Sequence, residues 1–384
     1  MVYIPNYSIE YLQTIARCFT NEDNISDIIA LNSGNINKTF IVKLDPESDK
    51  KDFIIQQINS NVFKKPKLLI DNLGFVSNYL SSKLQSSSSE LCGRNWQVPM
   101  LITPITSEKK YVEINKEYWR GISYISSANT YNVTNSLEQA KEVGLALAIF
   151  HFLVRDIPVE SISEVIDNFH ITPSYLDKFD STNSNRRDLK DKYGSESFER
   201  VEKAIEFISL NRIGSDFIQK AHLAGDLKHR VIHGDPKISN ILFDSINGQA
   251  VSLIDLDTVQ PGLILYDIGD CLRSCCNSLG EDTIDIDNVE FDISTCKAIL
   301  AGYSSIPANL TQYDFYYMPY IIRLLPFELG VRFLTDFLND NICFTTSYSL
   351  QNLHRAEVQF RLVEDISLKW DSIVELVNNL RRQS

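Results

Sequence analysis

One turn signal constrains this chain more than any other. Within a stretch otherwise patterned for helices, ILFDSINGQAVSLID sets two apolar strands around Asn247 and Gly248, the residue types that a tight hairpin turn requires. Polar residues bracket it closely. Asp235, Lys237 and Asn240 precede the first strand in VIHGDPKISNILFD, and Asp255 closes the second. A hairpin returns its two ends to one edge, so three oxygen-bearing side chains and a lysine are expected to converge there.

The chain on either side divides in character. From Ile28 to Ile125 the segments LNSGNINKTFIVKLD, DFIIQQIN, VPMLITPI and YVEINKEYWRGISYI read as short strands of a small antiparallel sheet. One helix interrupts them, with Pro66 suited to its start and Leu68, Leu69, Leu73, Val76 and Leu80 at helical spacing. The serine run at 85–90 reads as a surface loop. After Ile125 helices take over: a long one after Ser136, a plausible N-cap, and others over 197–223, 267–279, 325–338 and from Leu353 onward. No repeat of fixed period is visible. The fold class expected is therefore α+β, with a sheet lobe over 1–125 and a larger helical lobe, carrying the embedded β-hairpin, over 126–384.

Composition narrows the partners. The 384 residues, 43% hydrophobic, suffice for a full core, and 37 Lys and Arg against 50 Asp and Glu leave a net charge of −13. That balance argues against nucleic acid and against an anionic membrane surface, and leaves a small-molecule partner. Seven cysteines without CxxC spacing read as reduced thiols of a cytoplasmic protein, with Cys275 and Cys276 in a helix core. The N-terminus lacks a basic segment followed by an apolar one, and the longest apolar run, Gly144 to Val154, is too short to span a bilayer. A soluble, unprocessed chain is expected; its oligomeric state is not legible.

The bracketed residues suit phosphoryl transfer. That reaction needs a carboxylate to take the proton of an attacking hydroxyl, a cation near the moving phosphoryl group, and oxygen ligands for a metal on the phosphates. Asp235 fits the first role and Lys237 the second. Asn240 and Asp255 offer the oxygens. His233 reads as a loop-fixing residue, because Asp235 already supplies the base.

HGDPKISNILFD followed by LIDLDTVQPGLILYDIGDCLR resembles the aminoglycoside phosphotransferase and choline kinase superfamily, and most closely its bacterial N-acetylhexosamine 1-kinases. INKTFIV, FIIQQINSNVFKKP, YWRGISYI and ELGVRFLTDFL resemble the corresponding segments of that subfamily, from about Leu31 to Arg361. The resemblance implies a protein-kinase-like two-lobe fold, with ATP and Mg2+ as cofactors. Asp235 would be the base, Asn240 and Asp255 would hold magnesium, Asp257 would assist the metal or order the loop, and Asp267 would brace the catalytic loop. Adenine would lie against the linker at Ile122, Ser123, Tyr124 and Ile125. The phosphates would lie under the turn containing Gly34, which reads more simply as a plain β-turn. Kinases place a lysine on the strand FIIQQIN; here Gln56 or Gln57 stands at that point. Trp119 and Arg120, just before the linker, read as packing residues.

On the acceptor side, Asn35 stands where these sugar kinases carry a histidine, and Arg332 matches an arginine of the sugar pocket. The acceptor implied is a sugar, an N-acetylhexosamine phosphorylated on its anomeric hydroxyl, with Asn35, Asp235, Lys237 and Arg332 around it. A cationic acceptor, aminoglycoside or choline, is the alternative, supported by the acidic stretch EDTIDIDNVEFD, which reads more simply as a solvated loop. A catalytically inactive ligand-binding relative is a third reading, supported by the missing lysine. A protein kinase is disfavoured, because Gly234 replaces an arginine and no APE sequence follows.

Overall fold

The computed structural model describes residues 7–21, 25–31, 36–47, 50–85, 91, 93–105, 107–184, 189–307 and 310–383. Gly34, Asn35, Cys92 and the serines at 86–89 lie outside them.

Helix α1 (Ile9–Ala16) lies against an antiparallel sheet of β1 (Ile25–Leu31), β2 (Lys38–Leu44), β3 (Phe53–Ile58), β4 (Leu101–Ile102), β5 (Val112–Ile114) and β6 (Glu117–Ser123). The order is β1-β2-β3-β6-β4, with β5 paired to β6. Period-two alternation splits this sheet into two faces. On one, Phe40, Phe53, Ile55 and Trp119 join Leu12, Ile15 and Phe19 of the α1 region in a closed core. On the other, register pairs Thr39 with Gln56, Ile41 with Ile54, Gln56 with Arg120 and Ile54 with Ile122. That second face is the one turned to the rest of the chain. The interrupting helix, α2 (Pro66–Leu84), begins on Pro66 as its sequence requires.

The helical lobe comprises α3 (Leu137–Val154), α4 (Thr172–Ser184), α5 (Leu189–Asn211), α6 (Phe217–Leu223), α7 (Ile264–Cys275), α8 (Ile293–Tyr303), α9 (Gln312–Leu338), α10 (Gln351–Leu368) and α11 (Trp370–Gln383). Ser136 caps α3, its Oγ accepting from the Gln139 amide. The last helical run expected from the sequence is two helices, α10 and α11. Helix α9 starts well before Leu325, because Thr311 and Asp314 close a capping box at its N-terminus, and it continues through Pro319 and Pro326. Helices α3 and α8 touch backbone to backbone: a Cβ on Gly144 would lie 1.8 Å from the Ile299 carbonyl, and one on Gly302 2.0 Å from that of Lys141. Helices α1, α4 and α8 were not legible in the sequence.

Five short strands lie within this lobe: β7 (Ala128–Asn129), β8 (Arg230–Ile232), β9 (Ile241–Asp244), β10 (Ala250–Leu253) and β11 (Gln260–Gly262). β9 and β10 are the expected hairpin, joined by β7 on its outer edge, while β8 pairs with β11. Its turn is held by Asp244, whose Oδ1 accepts from the amides of Ile246 and Asn247, with Gly248 at φ 72°. The architecture is the two-lobe α+β kinase-like fold, and both polar segments emerge between its lobes.

Candidate active site

The two strand pairs fix two loops side by side: residues 233–240 between β8 and β9, and 254–259 between β10 and β11. The Ile254 amide donates to the Asn240 carbonyl at 2.8 Å, and Thr258 Oγ1 to the His233 carbonyl at 2.8 Å. His233 Nε2–H donates to the Ile254 carbonyl at 3.0 Å. Burial depresses the basicity of His233 despite Asp267 and Asp235 nearby, so its ring is neutral and holds the loops together. Gly234 sits at φ 85°, where a Cβ would meet the Thr258 carbonyl at 2.6 Å. Beneath the first loop, Asp267 of α7 is fully buried and accepts the amides of His233 and Gly234, each at 2.7 Å. His151 of α3 donates to it at 2.8 Å and accepts from Tyr303 at its other nitrogen. Burial raises the Asp267 carboxyl, but the hydrogen bond from His151 and those from the loop amides outweigh it and hold the group below the usual carboxylate range.

The bracketing residues do meet. Asp235 Oδ2 accepts from Lys237 Nζ at 2.8 Å and from Asn240 Nδ2 at 3.0 Å, and among the described residues no donor reaches its Oδ1. Asn240 also donates to the Asp235 carbonyl at 2.8 Å, so its amide nitrogen is turned toward Asp235 and its oxygen points away from it. Burial disfavours the Lys237 charge, yet the Asp235 and Asp255 carboxylates raise its basicity overall. Asp255 adopts the left-handed conformation, φ 64° and ψ 57°, sparsely populated by residues other than glycine and common at functional sites. Enclosure by the cleft walls, then the Asp257 and Asp235 carboxylates, push its carboxyl up to about 7 against the pull of Lys237 and Arg120.

Two cavities open on this constellation. One, about 240 Å³, is lined by Gln56, Ile122, Ser123, Tyr124, Ile125, Asn240, Asp255 and Asp257, the residues expected to surround a nucleotide. Gln57 is not among them. Alternation turns it to the other face, in register with Trp119, and its amide donates to the Ile58 carbonyl, so of the two glutamines only Gln56 faces the cleft. Trp119 packs as expected. Arg120 is buried as well, but it also contributes to the wall of this cleft, because it shares a strand face with Ile122, and its Nη2 lies 2.5 Å from Asp257 Oδ1. Asp257 also accepts from Asn37 at 2.6 Å.

The second cavity, about 370 Å³, contains Asp235, Lys237 and Arg332. The Arg332 guanidinium lies 5.0 Å from the Tyr175 ring centroid and 5.7 Å from those of Phe169 and Phe344. His170 and Asp270, both buried, line the same cavity and were not found in the sequence. His170 is set by Glu328 at 2.9 Å and Asp270 by Arg273 at 2.8 Å, and each keeps one polar atom, Nε2 and Oδ2, without a partner among the described residues. Glu281 of the acidic stretch lines it too, bound to Arg273 at 2.8 Å, and Asp282 pairs with Arg355 at 2.6 Å. Ion pairs thus anchor the start of that stretch, while Asp282, Ile284, Asp285, Asp287 and Asn288 are exposed, as expected of a solvated loop. Cys275 and Cys276 are buried thiols, as expected. No helix among the described residues is long and apolar enough to cross a membrane.

The fold and these loops define a kinase-like phosphotransferase. Residues 94–292 match the model of the phosphotransferase enzyme family, over half of the chain, and the chain belongs to that family. Among solved structures it is similar to a choline kinase from Cryptosporidium parvum Iowa II (12% identity, TM-score 0.58, covering 97% of this chain and 99% of that one). It is also similar to a microcompartment-associated aminopropanol kinase (17%, 0.56, 96% and 99%). A third is a spectinomycin phosphotransferase solved with ADP and spectinomycin (12%, 0.52, 94% and 98%).

Proposed function

We propose that the chain transfers the γ-phosphoryl group of ATP to a hydroxyl of a sugar, the anomeric hydroxyl of an N-acetylhexosamine. The observation that carries this reading is a small gap of about 40 Å³ between the two cavities, lined by Gln56, Asp255 and Asp257 of the first and by Asp235 and Lys237 of the second. On the nucleotide side, the β3–β6 ladder ends at Ser123, so Tyr124 and Ile125 keep backbone groups outside it for an adenine edge. Asp235 Oδ1, free of donors among the described residues, takes the hydroxyl proton as the acceptor oxygen attacks phosphorus and the bond to the ADP oxygen breaks. Lys237 steadies the negative charge in transit.

The oxygen set suits magnesium. Asn240 and Asp255 would hold it, and the crowding of Asp257 and Asp235 around Asp255 suits a cation. Magnesium supplies charge neutralisation on the phosphates.

Acceptor chemistry follows from what the second cavity offers. Asp270 Oδ2 and His170 Nε2 are fixed, unpaired polar atoms suited to hydroxyl groups. The three aromatic rings that would cradle a choline or aminoglycoside cation already hold Arg332, and Asp270 and Glu281 already share Arg273. Asp336 accepts the amides of Cys343 and Phe344. A cationic acceptor would therefore meet a guanidinium already seated among the rings, with Arg273 beside the carboxylates of Asp270 and Glu281. ADP release and 31P spectra of the product, with N-acetylhexosamines, other sugars, choline and an aminoglycoside, test this. A sugar 1-phosphate is expected; turnover of choline or aminoglycoside alone overturns the sugar reading.

A further inference from the structure

The cleft lacks the strand lysine that kinases set against nucleotide phosphates, and Gln56 occupies its place. Directly across the β3–β6 ladder, in register with Gln56, stands Arg120. Gln56 Oε1 accepts from Arg120 Nε at 3.0 Å and Nη2 at 2.5 Å, while Gln56 Nε2 donates to Thr39 Oγ1 at 2.9 Å, which fixes the amide with its oxygen toward the arginine. The guanidinium is 1% exposed and its Nη2 lies against Asp257 Oδ1, yet its Nη1 has no hydrogen-bond partner among the described residues. A buried donor left unpaired is uncommon in a folded protein and calls for an acceptor. Arg120 is also the one cationic side chain that lines the nucleotide cleft among the described residues, facing Asp255 and Asp257.

We infer that Arg120 is the phosphate-binding cation of this protein, moved by one strand from the usual lysine position, with Gln56 as its positioning residue. This rests on the nucleotide reading above. A purely structural Arg120, serving only to neutralise Asp257, would need neither a free Nη1 nor the Gln56 clamp that holds the fork toward the cleft. Arginine suits the post because its planar fork can engage Asp257 with one nitrogen and a phosphate oxygen with another. Gln56 then acts as a spacer: it accepts two N–H groups and repels nothing.

The test compares ADP with adenosine, both in EDTA so that no metal links Asp257 to the phosphates. Binding is measured calorimetrically for the wild-type protein and for Arg120→Lys, Arg120→Gln and the double variant Gln56→Lys/Arg120→Gln. The preference for ADP over adenosine should fall by about 10- to 100-fold in Arg120→Gln, as expected for loss of a charge-assisted phosphate contact. It should persist largely in Arg120→Lys and return in the double variant, which puts the cation back on β3. An unchanged preference, or equal losses toward ADP and adenosine, overturns the inference. Should Arg120→Gln fail to fold, the double variant decides: folded with the ADP preference it supports the assignment, and folded without it, or unfolded, it overturns it. A wild-type protein that binds no ADP refutes the nucleotide reading itself, an outcome distinct from wild-type binding that Arg120 does not affect.

Discussion

The side-chain amide of Asn37 donates to Asp257 Oδ2 at 2.6 Å, a hydrogen bond between residues 220 positions apart that ties the start of β2 to the loop after the hairpin. Its carbonyl oxygen meanwhile accepts the Asn59 amide at 2.9 Å, so Asn37 is anchored to β3's exit as it reaches across the cleft. Asn37→Ala removes one lobe-to-lobe tie without touching the base. We expect the Michaelis constant for nucleotide to rise about tenfold with turnover at saturation little changed, the size of one hydrogen bond to a charged group. An unchanged nucleotide constant in steady-state kinetics would show that the tie does not shape the cleft.

Asp235→Asn keeps the shape of the loop and the bond from Asn240 but removes the proton acceptor. Turnover should fall by at least about a hundredfold, the low end for a general base, while ADP affinity stays within about twofold. Near-normal turnover would remove Asp235 from the role of base.

Asp255 carries a pH signature. Its carboxyl titrates at about 7 in the folded chain against 3.8 for the free group, so between these values the native state holds a proton that the unfolded chain has lost. Stability therefore falls as pH rises through that window and is lowest above 7. Asp255→Asn abolishes the titration. In EDTA, its melting temperature relative to wild type should climb from pH 4 to pH 7 and then level off. A flat difference across that range would mean that the cleft does not disfavour the charge.

Arg332 separates the two substrates. Arg332→Ala should raise the Michaelis constant for the acceptor by about tenfold or more and leave that for ATP nearly unchanged, because the guanidinium lines the acceptor cavity alone. Arg332→Lys should recover little, since a lysine keeps charge but not the planar contact with Tyr175 and Phe344. Equal losses toward both substrates would make Arg332 a structural residue.

The chain by itself determined what is close in sequence. Asp235, Lys237, Asn240 and Asp255 lie within a span whose hairpin folds on local turn chemistry, so their meeting was legible from spacing alone. Pro66 and Ser136 placed two helix starts for the same reason: a cap depends on the next three or four residues. Gln56, Arg120, Asn37, His170 and Asp270 were decided by tertiary structure. Whether Gln56 or Gln57 faced the cleft depended on which face of β3 met α1, and Arg120 became a cleft residue only because register put it opposite Gln56. Its place just before the linker made the same arginine read as packing in the sequence, where strand partners cannot be read. His170 and Asp270 reach the acceptor cavity from the segment before α4 and from α7, brought together by long-range packing on α9. Local propensity carries no information about such meetings, because a contact across a hundred residues is set by how whole faces pack and not by the residues on either side of it.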